Sequence, residues 1–115
     1  MPLKIPSKLK IGGHIWDIKY PYIFTERFDR YAQCNDAKKI IFLSAADMNG
    51  DELPSSVVLV SFIHELLHAA SFLIGQEDIF SGDEGEKIVT ALSETIYQIL
   101  VDNKELHECL KPTKK

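Results

Sequence analysis

The order of patterns along this 115-residue chain predicts an α+β domain, with a small, mainly antiparallel sheet packed on a central helix and a second helix antiparallel to the first. Three observations predict it. Apolar and polar residues alternate, with turn signals between them, only in the stretch before Ala45. A long apolar run free of Gly and Pro then extends from Val57 to Ile74 and stops at Gly75, and a last segment repeats apolar residues at helical spacing from Ile88 to Leu100.

Lys8 to Ile11 and His14 to Tyr20 alternate on either side of Gly12-Gly13, which reads as a β-hairpin. Ile11, Ile15 and Ile18 are the expected inward residues, with Trp16 over a sheet edge. Pro21 closes the second strand, and Tyr22 to Arg30 reads as a loop with a short helical turn. Tyr31 to Asn35 and Lys39 to Ser44 read as a second hairpin, giving a sheet of three or four strands. One edge of that sheet could receive an extended peptide by β-augmentation, or be blunted by Lys38 and Lys39.

Asn49-Gly50-Asp51 marks a turn, and Pro54 suits the first turn of the long helix. That helix should end at Leu73 or Ile74 with Gly75 at its C-cap, and being apolar on nearly every side it reads as central and buried. After a short connection, Ser81 to Glu84 or Asp83 to Glu86 has capping-box spacing. The next helix carries Ile88, Val89, Leu92, Ile96, Ile99 and Leu100 as its core stripe and ends near Asn103, with an exposed tail after Leu110.

The length predicts one domain over residues 1–115, its core within about 8–103. A net charge of −4, with no basic cluster beyond the tail Lys111 to Lys115, argues against nucleic acid as a partner. The N-terminus lacks the apolar core and cleavage site of a signal peptide. His64, Glu65 and His68 interrupt the one long apolar stretch, which argues against a membrane span. With only Cys34 and Cys109 and no C-x-x-C pair, the expectation is a cytoplasmic protein with reduced thiols.

The long helix contains His64-Glu65-Leu66-Leu67-His68. Residues four apart share one face of a helix, so both imidazoles can converge on one Zn2+, leaving positions for a third protein ligand and a water. Glu65 is then the catalytic residue, a general base for attack on a peptide carbonyl. A third His in the metzincin pattern would fall at position 74, which is Ile, and position 71 is Ser rather than Gly. A carboxylate from the next helix remains. Glu86, three residues before Val89 and six before Leu92, shares the inward stripe and is preferred; Glu84, four before Ile88, is the alternative, and Glu77 and Asp78 in the connection come third.

With these residues in place, the chain resembles the small zincin-like metallopeptidases of phages, prophages and integrative elements, the broad ImmA/IrrE-like group. The likeness rests on the opening hairpin at Leu9 to Gly13, the Ile-rich strand Lys39 to Leu43, the His-Glu-x-x-His helix, Glu86 to Leu92, and Asp102-Asn103. It implies a minimal zincin-like fold and a gluzincin-like site, with His64, His68 and Glu86 as ligands to one zinc and Glu65 as base. The chain lacks a DNA-binding domain, and Tyr97 and His107 lie too far along to match the general acid of larger members. The expected function is hydrolysis of peptide bonds in a peptide or protein substrate, in a bacterial host cell. One alternative is a non-catalytic, zinc-stabilised binding module whose fourth position is closed by His14, Cys34 or His107; another is a metal-free phage assembly protein.

Overall fold

The computed structural model describes residues 3–24 and 31–112. Most of the helical turn expected within Tyr22 to Arg30 falls outside them. Four strands come first, β1 (Lys8–Ile11), β2 (His14–Lys19), β3 (Ala32–Asn35) and β4 (Ile40–Leu43). Then come α1 (Ser55–Leu73), a 3-10 turn (Glu77–Phe80), α2 (Gly82–Asp102) and α3 (Lys104–Leu110). The α+β class is as expected; α3, in a stretch that the sequence patterns left unassigned, is an addition.

Both hairpins form. β1 pairs antiparallel with β2 and β3 with β4, but β2 and β4 run parallel, Ile18 opposite Ile41, so the order is β1-β2-β4-β3 with β1 and β3 at the edges. Gly12 takes a left-handed conformation at the first turn, and the Leu73 side chain lies directly over the face where a Cβ would stand.

Strand period corrects the expected face of β2. Ile15 and Ile18 are three apart and so point to opposite sides of a sheet. The structure buries Trp16 and Ile18, at 2% and 5% exposure, and leaves Ile15 60% exposed. Trp16 is a core residue rather than an edge cover. It shares one buried cluster with Ile18, Ile41, Leu43 and, from α1, Val58, Phe62 and Ala69.

α1 begins at Pro54, its N-cap, and ends in a Schellman motif. Gln76 N–H donates to Ser71 O at 2.8 Å and Gly75 N–H to Phe72 O at 3.1 Å, with Gly75 at φ +69°, a conformation that favours glycine. Two stripes of α1 are in use. Val58, Phe62, Glu65 and Ala69 recur at helical spacing and are buried. His64 and His68 face α2. Because only two sides are covered, Val57, Phe72, Leu73 and Ile74 stay exposed, and the expectation of a helix buried all round is corrected. By length and composition alone α1 could cross a membrane.

α2 returns antiparallel to α1. Its buried positions are Gly85, Val89 and Ser93, with Ile96 and Leu100 half-buried, while Ile88, Leu92 and Ile99 face outward. The expected stripe is therefore divided between two faces of the helix. Ser93 satisfies its hydroxyl on Val89 O at 2.6 Å, which lets a polar residue sit fully buried at the helix contact. Neither capping box forms, because the Ser81 hydroxyl donates back to Asp78 O at 2.9 Å and no side chain caps α2.

Trp16→Ala is expected to cost about 3–5 kcal/mol in urea unfolding, as for a large core aromatic, and Ile15→Ala under about 1 kcal/mol. The reverse ranking would place the wrong face of β2 against α1.

Candidate metal centre

The connection between the helices brings the third donor to the first two. From α1, His64 and His68 present Nε2 atoms on one side, their ring centroids 5.0 Å apart. From the second turn of α2, the Glu86 carboxylate meets both, Oε2 lying 3.2 Å from His64 Nε2 and Oε1 3.1 Å from His68 Nε2. The ligating atoms of the three all lie within 4.8 Å of one another. With its hydrogen on Nε2, each imidazole donates to one carboxylate oxygen.

Such contacts at an exposed carboxylate contribute about 0–1 kcal/mol, so stability alone is a weak reason for the convergence. Two imidazole nitrogens and a carboxylate oxygen are the donor composition of His2Glu zinc hydrolases, and three residues could hold one ion while leaving it open to water and substrate. The side chains of both histidines retain 20% exposure and Glu86 54%, so the centre opens to solvent.

Of the carboxylates considered, Glu84 is two residues from Glu86 and so about 200° away round the helix. It pairs with Lys87 at 3.5 Å in solvent. Glu77 and Asp78 stay exposed in the 3-10 turn. Among the described residues, His64, His68 and Glu86 form the one group suited to a metal; His14, Cys34 and His107 do not join it. His14 lines a cleft with Trp16, Asp36 and Lys39, and His107 Nε2 meets the Leu100 carbonyl. Tyr97 lies about three turns beyond Glu86, roughly 16 Å along α2 at 1.5 Å per residue. There it faces Val57, Val60 and Ser61 of α1.

Glu65 lies on the sheet-facing stripe and is buried, 9% exposed. Its negative charge reaches Cys34 on β3, whose thiol is pushed up to about 12, by burial first and then by Glu65 and Asp36, with Lys39 pulling the other way. Burial also holds the His64 pKa below its ordinary value near 6.5; the nearby His68 lowers it further and Glu86 opposes both. A buried imidazole kept neutral is the form that binds a metal.

Two residues near the centre escaped the sequence patterns. The Phe80 ring stands edge-on to His68 at 5.8 Å between centroids, and Gly85 is buried against the Phe80 backbone. An isolated glycine inside a helical pattern was the available signal for the second.

Comparison of the chain with protein-family models, curated proteins and solved structures finds no match. The candidate site therefore rests on its motif and geometry.

Two measurements check these electrostatics. Iodoacetamide at pH 8 should label exposed Cys109 while Cys34 stays largely unmodified until the protein is unfolded, as read by mass spectrometry. In the zinc-free protein, NMR titration should give His64 a midpoint below 6.5. The sign follows: the unfolded chain takes up the His64 proton first, so this contribution to stability is present above about pH 6.5 and is lost as pH falls through the lower folded value.

Proposed function

We propose that this chain is a zinc-dependent peptidase that hydrolyses peptide bonds in one or a few protein partners in the cytoplasm. The observation that supports the reading best is the convergence of His64 Nε2, His68 Nε2 and the Glu86 carboxylate, from two helices, at a position open to solvent, with Glu65 next to His64 in the chain. His64, His68 and Glu86 would hold the metal. When bound, zinc would supply Lewis acidity, polarising a carbonyl and making a water molecule more acidic.

The chain's own groups do the rest. The Glu65 carboxylate accepts the proton of the attacking water and passes it to the leaving amine. Burial favours the neutral imidazole at His64, the form in which it can act as a donor to a metal. Among the described residues β3 is an edge strand packed on α1, so a peptide added along that edge would run beside the helix that carries the site. Lys38 and Lys39 lie in the turn before β4, outside β3 itself.

The non-catalytic zinc module would need a fourth protein ligand. None of the three residues considered for that place joins the group among the described residues, which favours the open, catalytic arrangement.

Elemental analysis of untagged protein should find about one zinc per chain, as in single catalytic zinc sites, lost in His68→Ala and Glu86→Ala. Glu65→Gln should keep the metal and the melting temperature while cleavage of a peptide library, followed by mass spectrometry, falls by about 10²–10⁴-fold. Absence of zinc, with no rise in melting temperature when zinc is added, would overturn the proposal.

A further inference from the structure

We infer that Phe80 is a positioning residue for His68, and that Gly85 is the residue that lets it act as one; this rests on the zinc-site reading above. Phe80 ends the 3-10 turn and sets its ring perpendicular to the imidazole, 82° between planes at 5.8 Å. Edge-to-face pairs of this kind are attractive and restrict rotation of both rings. His68 is the ligand nearer the connection, and its Nε2 must stay aimed at the position that Glu86 also faces.

The turn is held at both ends. Gln76 N–H is bonded to Ser71 O of α1 at 2.8 Å, Ile79 N–H to Gln76 O at 3.0 Å, and the Ser81 hydroxyl to Asp78 O at 2.9 Å. Behind it, α2 presents Gly85. A Cβ there would stand 2.3 Å from the Phe80 carbonyl carbon and 2.7 Å from its Cα. Those are backbone atoms, so no side-chain rotation would relieve the clash. Glycine inside a helix costs about 1 kcal/mol relative to alanine, and at Gly85 the space it leaves is taken by the backbone of the residue that packs on His68. Gly85 also immediately precedes Glu86 on the same turn of helix. An alanine at 85 would therefore push the Phe80 backbone away from the helix that delivers the third ligand.

The test compares Phe80→Leu, Phe80→Tyr, Gly85→Ala and, as a destabilised control in the sheet, Ile41→Val. Zinc affinity is measured by chelator competition, and the His68 ring signals are followed by NMR in the zinc-free protein. Phe80→Leu and Gly85→Ala should weaken zinc binding by about 10–100-fold, the usual effect of losing a group that orients a ligand, and should shift the His68 ring signals. Phe80→Tyr should restore both, and Ile41→Val should change neither. If Phe80→Leu binds zinc as tightly as wild type with unmoved His68 signals, the inference is overturned and the zinc site stands. If wild type binds no zinc, both fall. Should Gly85→Ala fail to fold, the Phe80 pair decides.

Discussion

A helix that carries two imidazoles and a carboxylate among apolar neighbours has to find partners for them outside itself, and most of this fold can be understood from that constraint. α1 divides the task between two sides. Its sheet-facing stripe, Val58, Phe62 and Ala69, packs on Trp16, Ile18, Ile41 and Leu43, and takes Glu65 with it into the interface. The other side turns His64 and His68 to α2, where Glu86 meets both. Had α1 been covered on one side alone, some of these groups would be buried without a partner, or would point into solvent with nothing to bind.

The geometry of the return explains why Glu86 and not Glu84 arrives there. From His68 to the end of α1 the helix rises about 7.5 Å, and from the start of α2 to Glu86 about 6 Å, at 1.5 Å per residue. The compact 3-10 turn makes up the difference and brings Glu86 level with the histidines. Glu84 is close in height but points elsewhere, and spends its charge on Lys87. The connection is therefore part of the site.

Much of this was legible in the sequence because it is written in short-range chemistry. Gly12-Gly13 between alternating strands, Pro54 and Gly75 at the ends of α1, and the four-residue spacing of His64 and His68 each have a local physical meaning. What failed was information that only tertiary contacts supply. Ile15 and Ile18 are the exception, since the pleat already puts residues three apart on opposite faces and that error was one of period. Ile88, Leu92 and Ile99 follow a helical period as well as Val89 and Leu100 do, so periodicity could not choose the buried stripe. Ser81 had the spacing of a cap, but its hydroxyl found Asp78 O in the preceding turn. The parallel pairing of β2 with β4 links segments with a long excursion between them, and no neighbouring residue announces it.

All three candidate ligands lie between His64 and Glu86, inside a single helical hairpin, and the sheet contributes none of them. The donor set thus belongs to the helical hairpin alone, although it spans about as much chain as the β2–β4 pairing does, 22 residues from His64 to Glu86 against 23 from Ile18 to Ile41. The division also separates two kinds of evolutionary freedom. Changes in the strands can alter the sheet and leave the geometry of the candidate donors intact, whereas a single residue inserted between Gly75 and Glu86 would alter the height or rotation of the third of them. Loops are ordinarily where length varies most freely, and in this chain the loop between the helices is where it should vary least.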